Sequence, residues 1–323
     1  MPEARSHSVA IIGAGPIGLE LAVALKRANV DYVQLDAAQI GATMQWYPLE
    51  MVFHSNAERL AIAGVPIQVP DQQKIKREEF LAYLRAVVQQ FDLQIRTYER
   101  VESARRLDDG TFELQTGKDV YHVRNVVVAI GAMHAPKLLG IPGEDLPHVT
   151  HYFRDLHTYF NRKLLIIGGR NSAIEAAVRC QRAGAHVTIS YRRDDFDATS
   201  VKFWLLPEIR SMIRDQRVRF LPRTTALEIR RDTVVLDPIG DVEADFVLAL
   251  TGYRQDTSLF EMLGVDLQGA DHRPLYDEST METNVPGVFV AGTAIAGSPV
   301  ERVRIIVEDC HVHVPRIVSA LSR

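Results

Sequence analysis

Two glycine turns carry the residue types that hold a dinucleotide pyrophosphate: Gly13-Ala14-Gly15-Pro16-Ile17-Gly18 and Gly168-Gly169-Arg170-Asn171-Ser172-Ala173. In a G-x-G-x-x-G turn one glycine makes the tight bend, one lets the backbone approach the phosphates, and one lets helix pack on strand. The phosphates then sit at a helix N-terminus, where free N–H groups and the helix dipole favour anions. Gly13, Gly15 and Gly18 satisfy the whole pattern, and about 20 residues on Asp36 is placed to accept hydrogen bonds from a ribose hydroxyl. The second turn has Arg170 at its third position; the Cβ there restricts backbone approach, while the guanidinium can lie against a phosphate. No carboxylate ends its second strand. Tyr191-Arg192-Arg193 stands there, offering positive charge to a 2′-phosphate and a ring able to stack on adenine, which points to NADPH in preference to NADH. The plainer alternative is that Arg192 and Arg193 form a solvated surface pair. Two turns with opposite chemistry after them outline a flavoprotein reductase, in which one bound carrier hands electrons to another.

These turns need strands and helices to aim them, and the chain supplies the periodicity twice. Val9–Ile12 is a short apolar run, Leu19–Arg27 continues with helical spacing, and Tyr32–Leu35 reads as a second strand ending at Asp36. Residues 41–78 are less regular, and Glu79–Gln90 reads as a helix. Val101–Ile130 predicts a small antiparallel meander broken at Asp108-Asp109-Gly110 and Thr116-Gly117-Lys118, and Leu138–Pro147 reads as a linker. From Lys163–Ile167 the pattern repeats, with a helix over Ala173–Ala183, a stop at Gly184 and a strand over Val187–Ser190. A second meander is expected around Ala226–Leu250, then a strand Val288–Ala291, a loop through Gly297-Ser298-Pro299 and a helix from about Arg302. The fold class is α/β, with two Rossmann-like dinucleotide-binding domains of three layers (ββα).

A length of 323 residues accommodates two domains, each with its own core. With 46% hydrophobic and 24% charged residues and a net charge of −4, nucleic acid and anionic membranes are not expected partners. The apolar runs are strand-length, and the polar start of the chain shows no secretory signal. Two cysteines, Cys180 and Cys310, make no disulfide framework, so a cytoplasmic location is expected. Cys180 lies mid-helix and reads as a packing residue. His311 and His313 beside Cys310 could supply a positive field or a proton, and no zinc spacing accompanies them, so no metal is expected. Trp204 reads as core or interface.

With the turns, the meanders and the Gly292-Thr293-Ala294 loop, the chain resembles the low-molecular-weight thioredoxin-reductase-like flavoproteins, and within them the bacillithiol disulfide (bacilliredoxin) reductase branch of the YpdA type. The most specific stretches run from His151-Tyr152-Phe153 through Ile167–Ile174 to Val187 and Tyr191-Arg192, and from Tyr47-Pro48 through Phe53-His54-Ser55 to Leu60 and Gly64-Val65-Pro66. The resemblance implies a homodimer with FAD in a discontinuous domain, residues 1–147 and 270–323, and NADPH in an inserted domain, residues 148–269. It implies FAD contacts from Gly13, Gly15, Pro16, Ile17, Gly18, Asp36, Gln45, Tyr47, Ser55, Val101, Gly131, Gly292, Thr293 and Ile295. Gly168, Gly169, Arg170, Asn171, Ser172, Tyr191, Arg192, Arg193 and Gly252 are the expected NADPH contacts.

Three positions depart from the family pattern. The Cys-x-x-Cys that thioredoxin reductases carry before the second turn is absent, with His151–His157 in its place; Ile17 stands where bacillithiol-type enzymes have a cysteine; and Gly292-Thr293 replaces the usual Gly-Asp. Catalytic residues are therefore unassigned, with Cys310 and His313 as candidates. Three functions stay open: hydride passage from NADPH to FAD and on to a small-molecule disulfide or small redox protein; a ferredoxin or flavodoxin–NADP reductase, which needs no protein cysteine; and a redox-silent NADPH/FAD-binding sensor.

Overall fold

The structure, a computed structural model, describes residues 5–70, 73–298 and 305–322. The chain divides into two compact units, Met1–Gln45 with Glu50–Ala135 and Tyr253–Arg323 in one, Trp46–Leu49 with Pro136–Gly252 in the other. The junctions differ from those read in the sequence, because the segment read as a linker is tied into the second unit. The Glu144 carboxylate accepts from Leu139 N–H at 2.6 Å and Gly140 N–H at 2.7 Å. Ile229 N–H donates to Pro142 O at 2.9 Å, and Gly143 lies so close to Ile229 O that a Cβ there would stand 1.9 Å from it.

In the first unit one sheet runs in the order Ile95–Arg96, Tyr32–Leu35, Arg5–Ile12, Val120–Val128, Phe112–Thr116, Val101–Arg106, with Val288–Val290 also on Val120–Val128. The first four strands and Val288–Val290 are parallel, and the last two form the antiparallel meander. Val9–Ile12 and Val126–Val128 are buried on both faces, as parallel strands under a helix must be. The helix Pro16–Arg27 starts with Pro16 in its first turn, has no acid in that turn and ends on Lys26 and Arg27, which suit its negative end. Arg77–Gln90 is the next long helix, its start fixed by Lys76 N–H donating to Glu79 Oε2 at 2.8 Å.

In the second unit a parallel sheet runs Val218–Pro222, His186–Tyr191, Lys163–Ile167, Phe246–Ala249, Val149–Thr150. Alternation decides its layers. Leu164 and Ile166 face the core that holds Ala173, Ile174 and Ala177 of the helix Asn171–Arg182, while Leu165 and Ile167 face Ile229, Val234 and Val242 of a three-stranded antiparallel meander. Meander, sheet and helix are the three layers expected.

The C-terminal helix begins later than the sequence suggests. Residues 302–304 lie outside those described; Val307–Asp309 is a 3-10 turn, and the helix is His313–Leu321. The reason is local: Cys310 N–H donates to Val307 O and His313 N–H to Cys310 O, three-residue spacings that hold the chain in tight turns before the helix. No helix among the described residues is long and apolar enough to cross a membrane.

Candidate functional site

The first turn is built by close backbone approach. Gly13 adopts φ +119°, its N–H donates to Leu35 O at 2.8 Å, and a Cβ on it would lie 2.4 Å from Ala129 O. A Cβ on Gly18 would lie 2.2 Å from Gly13 O, so the third glycine lets helix meet strand. Gly15 is different: its φ of −74° and ψ of 179° suit any residue, and among the described residues no contact is made within 4 Å of where a Cβ would be. Gly15 also leaves the helix N-terminus without a side-chain cap, so its first N–H groups are available to an anion.

Asp36 is drawn onto this turn. Its Oδ2 accepts from Ala14 N–H at 2.6 Å and its Oδ1 from Ala38 N–H at 2.8 Å. Burial raises its pKa, opposed by these two hydrogen bonds and by Arg100. A carboxylate has room for further acceptance beyond two bonds, so Asp36 keeps capacity for another donor. Beneath it the fully buried Gln34 donates from Nε2 to Gly13 O at 3.0 Å.

Two loops close on this turn. Gly131 and Gly292 have φ of +80° and +69°, and a Cβ on Gly131 would lie 3.6 Å from Thr293 Oγ1. Ile17, 4% exposed, packs against the second loop; a Cβ at Gly292 would stand 3.3 Å from Ile17 Cβ. The buried Gln255 ties the loops together, its Nε2 donating to both Gly131 O and Ala294 O at 2.8 Å. His313 holds the same loop from below, its Nδ1 accepting from Gly292 N–H at 3.1 Å. Burial, with Arg316 and His311 adding, pushes the His313 pKa down to about 4. Its ring is therefore neutral at physiological pH, which corrects the expectation of a positive field from this residue. His311 has the opposite environment: Nδ1 meets Glu20 Oε2 at 2.7 Å, and that bond raises its pKa.

Cys310 does not present a thiolate. It is fully buried, its Sγ donates to Ile306 O at 3.3 Å, and burial with Asp309 pushes its pKa up to about 12. Cys180 is likewise buried, at about 12, as a packing residue should be. Of the other expected flavin contacts, Ile295 is buried in the Gly292–Ala296 turn, Val101 opens its strand half-buried, Ser55 is half-buried and Gln45 exposed. Tyr47 groups with the second unit, and burial raises its pKa. Among the described residues no cluster of His, Cys, Asp and Glu is arranged to hold a metal.

The second turn repeats the scaffold with different side chains. Gly168 has φ +142°, its N–H donates to Ser190 O at 3.0 Å, and a Cβ there would lie 2.5 Å from Leu250 O and 3.3 Å from Ala173 Cβ. Ala173 thus takes the place of the third glycine. Gly169 is required by Tyr191, whose ring atoms would come within 2.5 Å of a Cβ. That ring is only 7% exposed and stacks on Phe196 at 6.0 Å, so it is committed to packing; the expectation that it stacks on adenine is corrected. Arg170 is the N-cap position of the helix Asn171–Arg182, with no side-chain cap bond, and no acid lies in the first turn. The Asn171 side chain is also committed: its Oδ1 accepts from Lys202 N–H at 2.8 Å and its Nδ2 donates to Ser200 O at 3.3 Å. Ser172 and Arg192 are exposed, and Arg193 pairs with Asp197 at 3.5 Å. Gly252, at φ +103°, lies beside Lys137. Trp204, read as core or interface, is 38% exposed, with Lys202 Nζ 5.8 Å from its ring.

Three residues of these sites carry no sequence signal: Gln34, Gln255 and Lys137. Gln255 reaches backbone carbonyls 124 and 39 residues away, and no spacing rule marks such a contact.

Comparison with known proteins gives a consistent setting. Residues 10–292 match the family model described as pyridine nucleotide-disulphide oxidoreductase. The chain is 33% identical over 317 residues to the bacilliredoxin reductase Bdr of Bacillus subtilis (strain 168), covering 97% of each. It is 28% identical to a ferredoxin–NADP reductase of Ignicoccus hospitalis, covering 87% of this chain and 88% of that one. The solved bacillithiol disulfide reductase Bdr (YpdA) from Bacillus cereus superposes with a TM-score of 0.93 at 32% identity, over 98% of this chain and 99% of the other.

Proposed function

Because the chain belongs to the pyridine nucleotide-disulphide oxidoreductase family, we propose that it carries electrons from NADPH through FAD to a disulfide acceptor of the bacillithiol disulfide or bacilliredoxin type. It is an oxidoreductase, and FAD and NADPH are its cofactors. The observation that carries the finer reading is the likeness, over 97% of both chains, to a relative named for bacilliredoxin reduction. When bound, the nicotinamide supplies a hydride that the flavin accepts, and net turnover consumes one NADPH and one proton to convert a disulfide into two thiols.

The protein's own residues bind and orient. In this reading Gly13, Gly15 and Gly18 with the helix Pro16–Arg27 hold the FAD pyrophosphate, Asp36 takes its ribose, and the Gly131 and Gly292–Ile295 loops, clamped by Gln255, close over it. Gly168, Arg170 and the N-terminus of Asn171–Arg182 hold the NADPH pyrophosphate, and Arg192 with Arg193 faces the 2′-phosphate. No protein cysteine takes part: Ile17 is an apolar packing residue and both thiols are buried and protonated. The acceptor therefore brings its own sulfur chemistry. A cytoplasmic homodimer belongs to the same reading.

The burial of both thiols favours a second reading, a ferredoxin or flavodoxin–NADP reductase, since that reaction requires no protein thiol. The two are separated by reducing the holoprotein anaerobically with NADPH and offering a low-molecular-weight disulfide, a bacilliredoxin-like protein or a ferredoxin. Reoxidation by either disulfide acceptor supports the first reading, and reoxidation by ferredoxin alone replaces it with the second. A flavin that NADPH does not bleach would leave a redox-silent sensor.

A further inference from the structure

We propose that Lys137 is a further cation of the second dinucleotide site and holds the pyrophosphate from the side of the turn opposite Arg192. The inference deepens the reading that the second unit takes NADPH, and rests on it.

The placement follows from strand register. Ile167, the last residue before the turn, pairs with Ser190 on one side and Ala249 on the other. Arg192 follows the first neighbour and Thr251-Gly252 the second, so both stand at the carboxyl ends of parallel strands flanking Gly168. That is where open α/β sheets bind ligands. Close contact fixes the second side: Gly168 approaches Leu250 O so tightly that a Cβ would lie 2.5 Å from it.

Lys137 is locked to this strand end. Its N–H donates to Gly252 O at 2.9 Å, and its carbonyl accepts from Thr251 Oγ1. A Cβ on Gly252 would lie 3.9 Å from Lys137 Cδ, so the lysine stem runs past this glycine. Arg170 and Arg192 are near enough for their charges to be felt here: burial lowers the Lys137 pKa first, and these two guanidiniums lower it further. Three cations converging on one turn, above an uncapped helix N-terminus, suit a ligand carrying several negative charges. Arg192, on the side where a ribose 2′-phosphate is read, senses a group that only NADPH carries. Lys137, across the turn, senses the pyrophosphate common to NADPH and NADH.

This division predicts unequal losses. Purified FAD-loaded protein, Lys137→Met, Lys137→Arg and Arg192→Met are titrated calorimetrically with NADP+, NAD+ and adenosine 2′-monophosphate, after melting curves show each variant folded. Loss of one charge-assisted contact weakens binding by about tenfold or more. Lys137→Met is expected to weaken NADP+ and NAD+ by the same factor and leave adenosine 2′-monophosphate unchanged, and Lys137→Arg to restore both dinucleotides. Arg192→Met is expected to weaken NADP+ and adenosine 2′-monophosphate and spare NAD+. If Lys137→Met weakens NADP+ alone, or neither dinucleotide, the proposal is overturned while the NADPH reading stands. If the wild-type protein binds none of the three, the NADPH reading falls and takes the proposal with it.

Discussion

The two glycine turns share a backbone and differ in what covers it. Gly13 N–H donates to Leu35 O and Gly168 N–H to Ser190 O, so Asp36 and Tyr191 occupy the same place, one residue further on. Asp36 reaches back to Ala14 N–H, and an alanine methyl is compatible with it. Tyr191 lays its ring over Gly169, and a methyl is not. The residue at the end of the second strand thus decides which residue the turn carries at its second position. At the third position the relation reverses: Gly15 keeps open space, and Arg170 adds a cation. A fingerprint glycine therefore has one of two meanings, room for the chain itself or room for a ligand, and only the contacts tell them apart.

The largest effects should come where the two turns agree. Gly13→Ala and Gly168→Ala each force a Cβ to within 2.4 and 2.5 Å of a carbonyl oxygen, at positive φ. Each should cost about 3 kcal/mol or more in folding stability, read by chemical denaturation. Gly15→Ala should break the symmetry: its conformation suits alanine, so the apoprotein should keep its stability within about 0.5 kcal/mol. FAD affinity should nevertheless fall by at least about tenfold, as one obstructed phosphate contact implies. A Gly15→Ala apoprotein that melts far below wild type would show this glycine to be structural.

A smaller effect isolates the ring. Gly169→Ala should destabilise by about 2 kcal/mol, since the Tyr191 ring must move. In a Tyr191→Ala background the same change should cost much less, with a coupling of about 1–2 kcal/mol between the two positions. Additive losses would mean that the ring is not what excludes the methyl.

Much of this scaffold is legible in the sequence, because strand, turn, helix and second strand are local patterns: Val9–Ile12, Gly13–Gly18, Lys163–Ile167 and the start of Tyr191-Arg192-Arg193 all stand where periodicity puts them. What was not legible depends on three-dimensional proximity. Tyr191 reads as a free stacking ring until Phe196 is seen against it. Lys137 sits at the edge of a segment that reads as a linker, and its partner is Thr251 on another strand end. His313 reads as a proton source, but burial and the Gly292 N–H make it a neutral acceptor. In each case the side-chain chemistry was clear and its partner was not.

His313 also gives the first turn a pH dependence for which the second shows no counterpart among the residues described around it. The histidine titrates at about 4 in the folded state, against an ordinary value of 6.5. Between these values the unfolded chain binds a proton that the folded chain does not, so stability falls as pH drops from 6.5 towards 4. The full span amounts to on the order of 3 kcal/mol for one buried group. His311, raised by Glu20, works in the opposite sense: its contribution is complete below its unfolded value and fades as pH rises through its folded one. The net profile is therefore shallower than His313 alone would give, and a substitution is needed to separate them. In His313→Asn, Oδ1 can replace Nδ1 as acceptor for Gly292 N–H without a group that charges in this range. This variant should hold its FAD at neutral pH and lose the acid-side fall in flavin retention between pH 6.5 and 4, followed by the rise in free flavin fluorescence. His313→Leu, which leaves Gly292 N–H without an acceptor, should release flavin more readily at every pH. Binding of NADP+ to the second turn should be unaltered in both, and a shift in step with flavin release would show that the effect of His313 is not confined to the first turn.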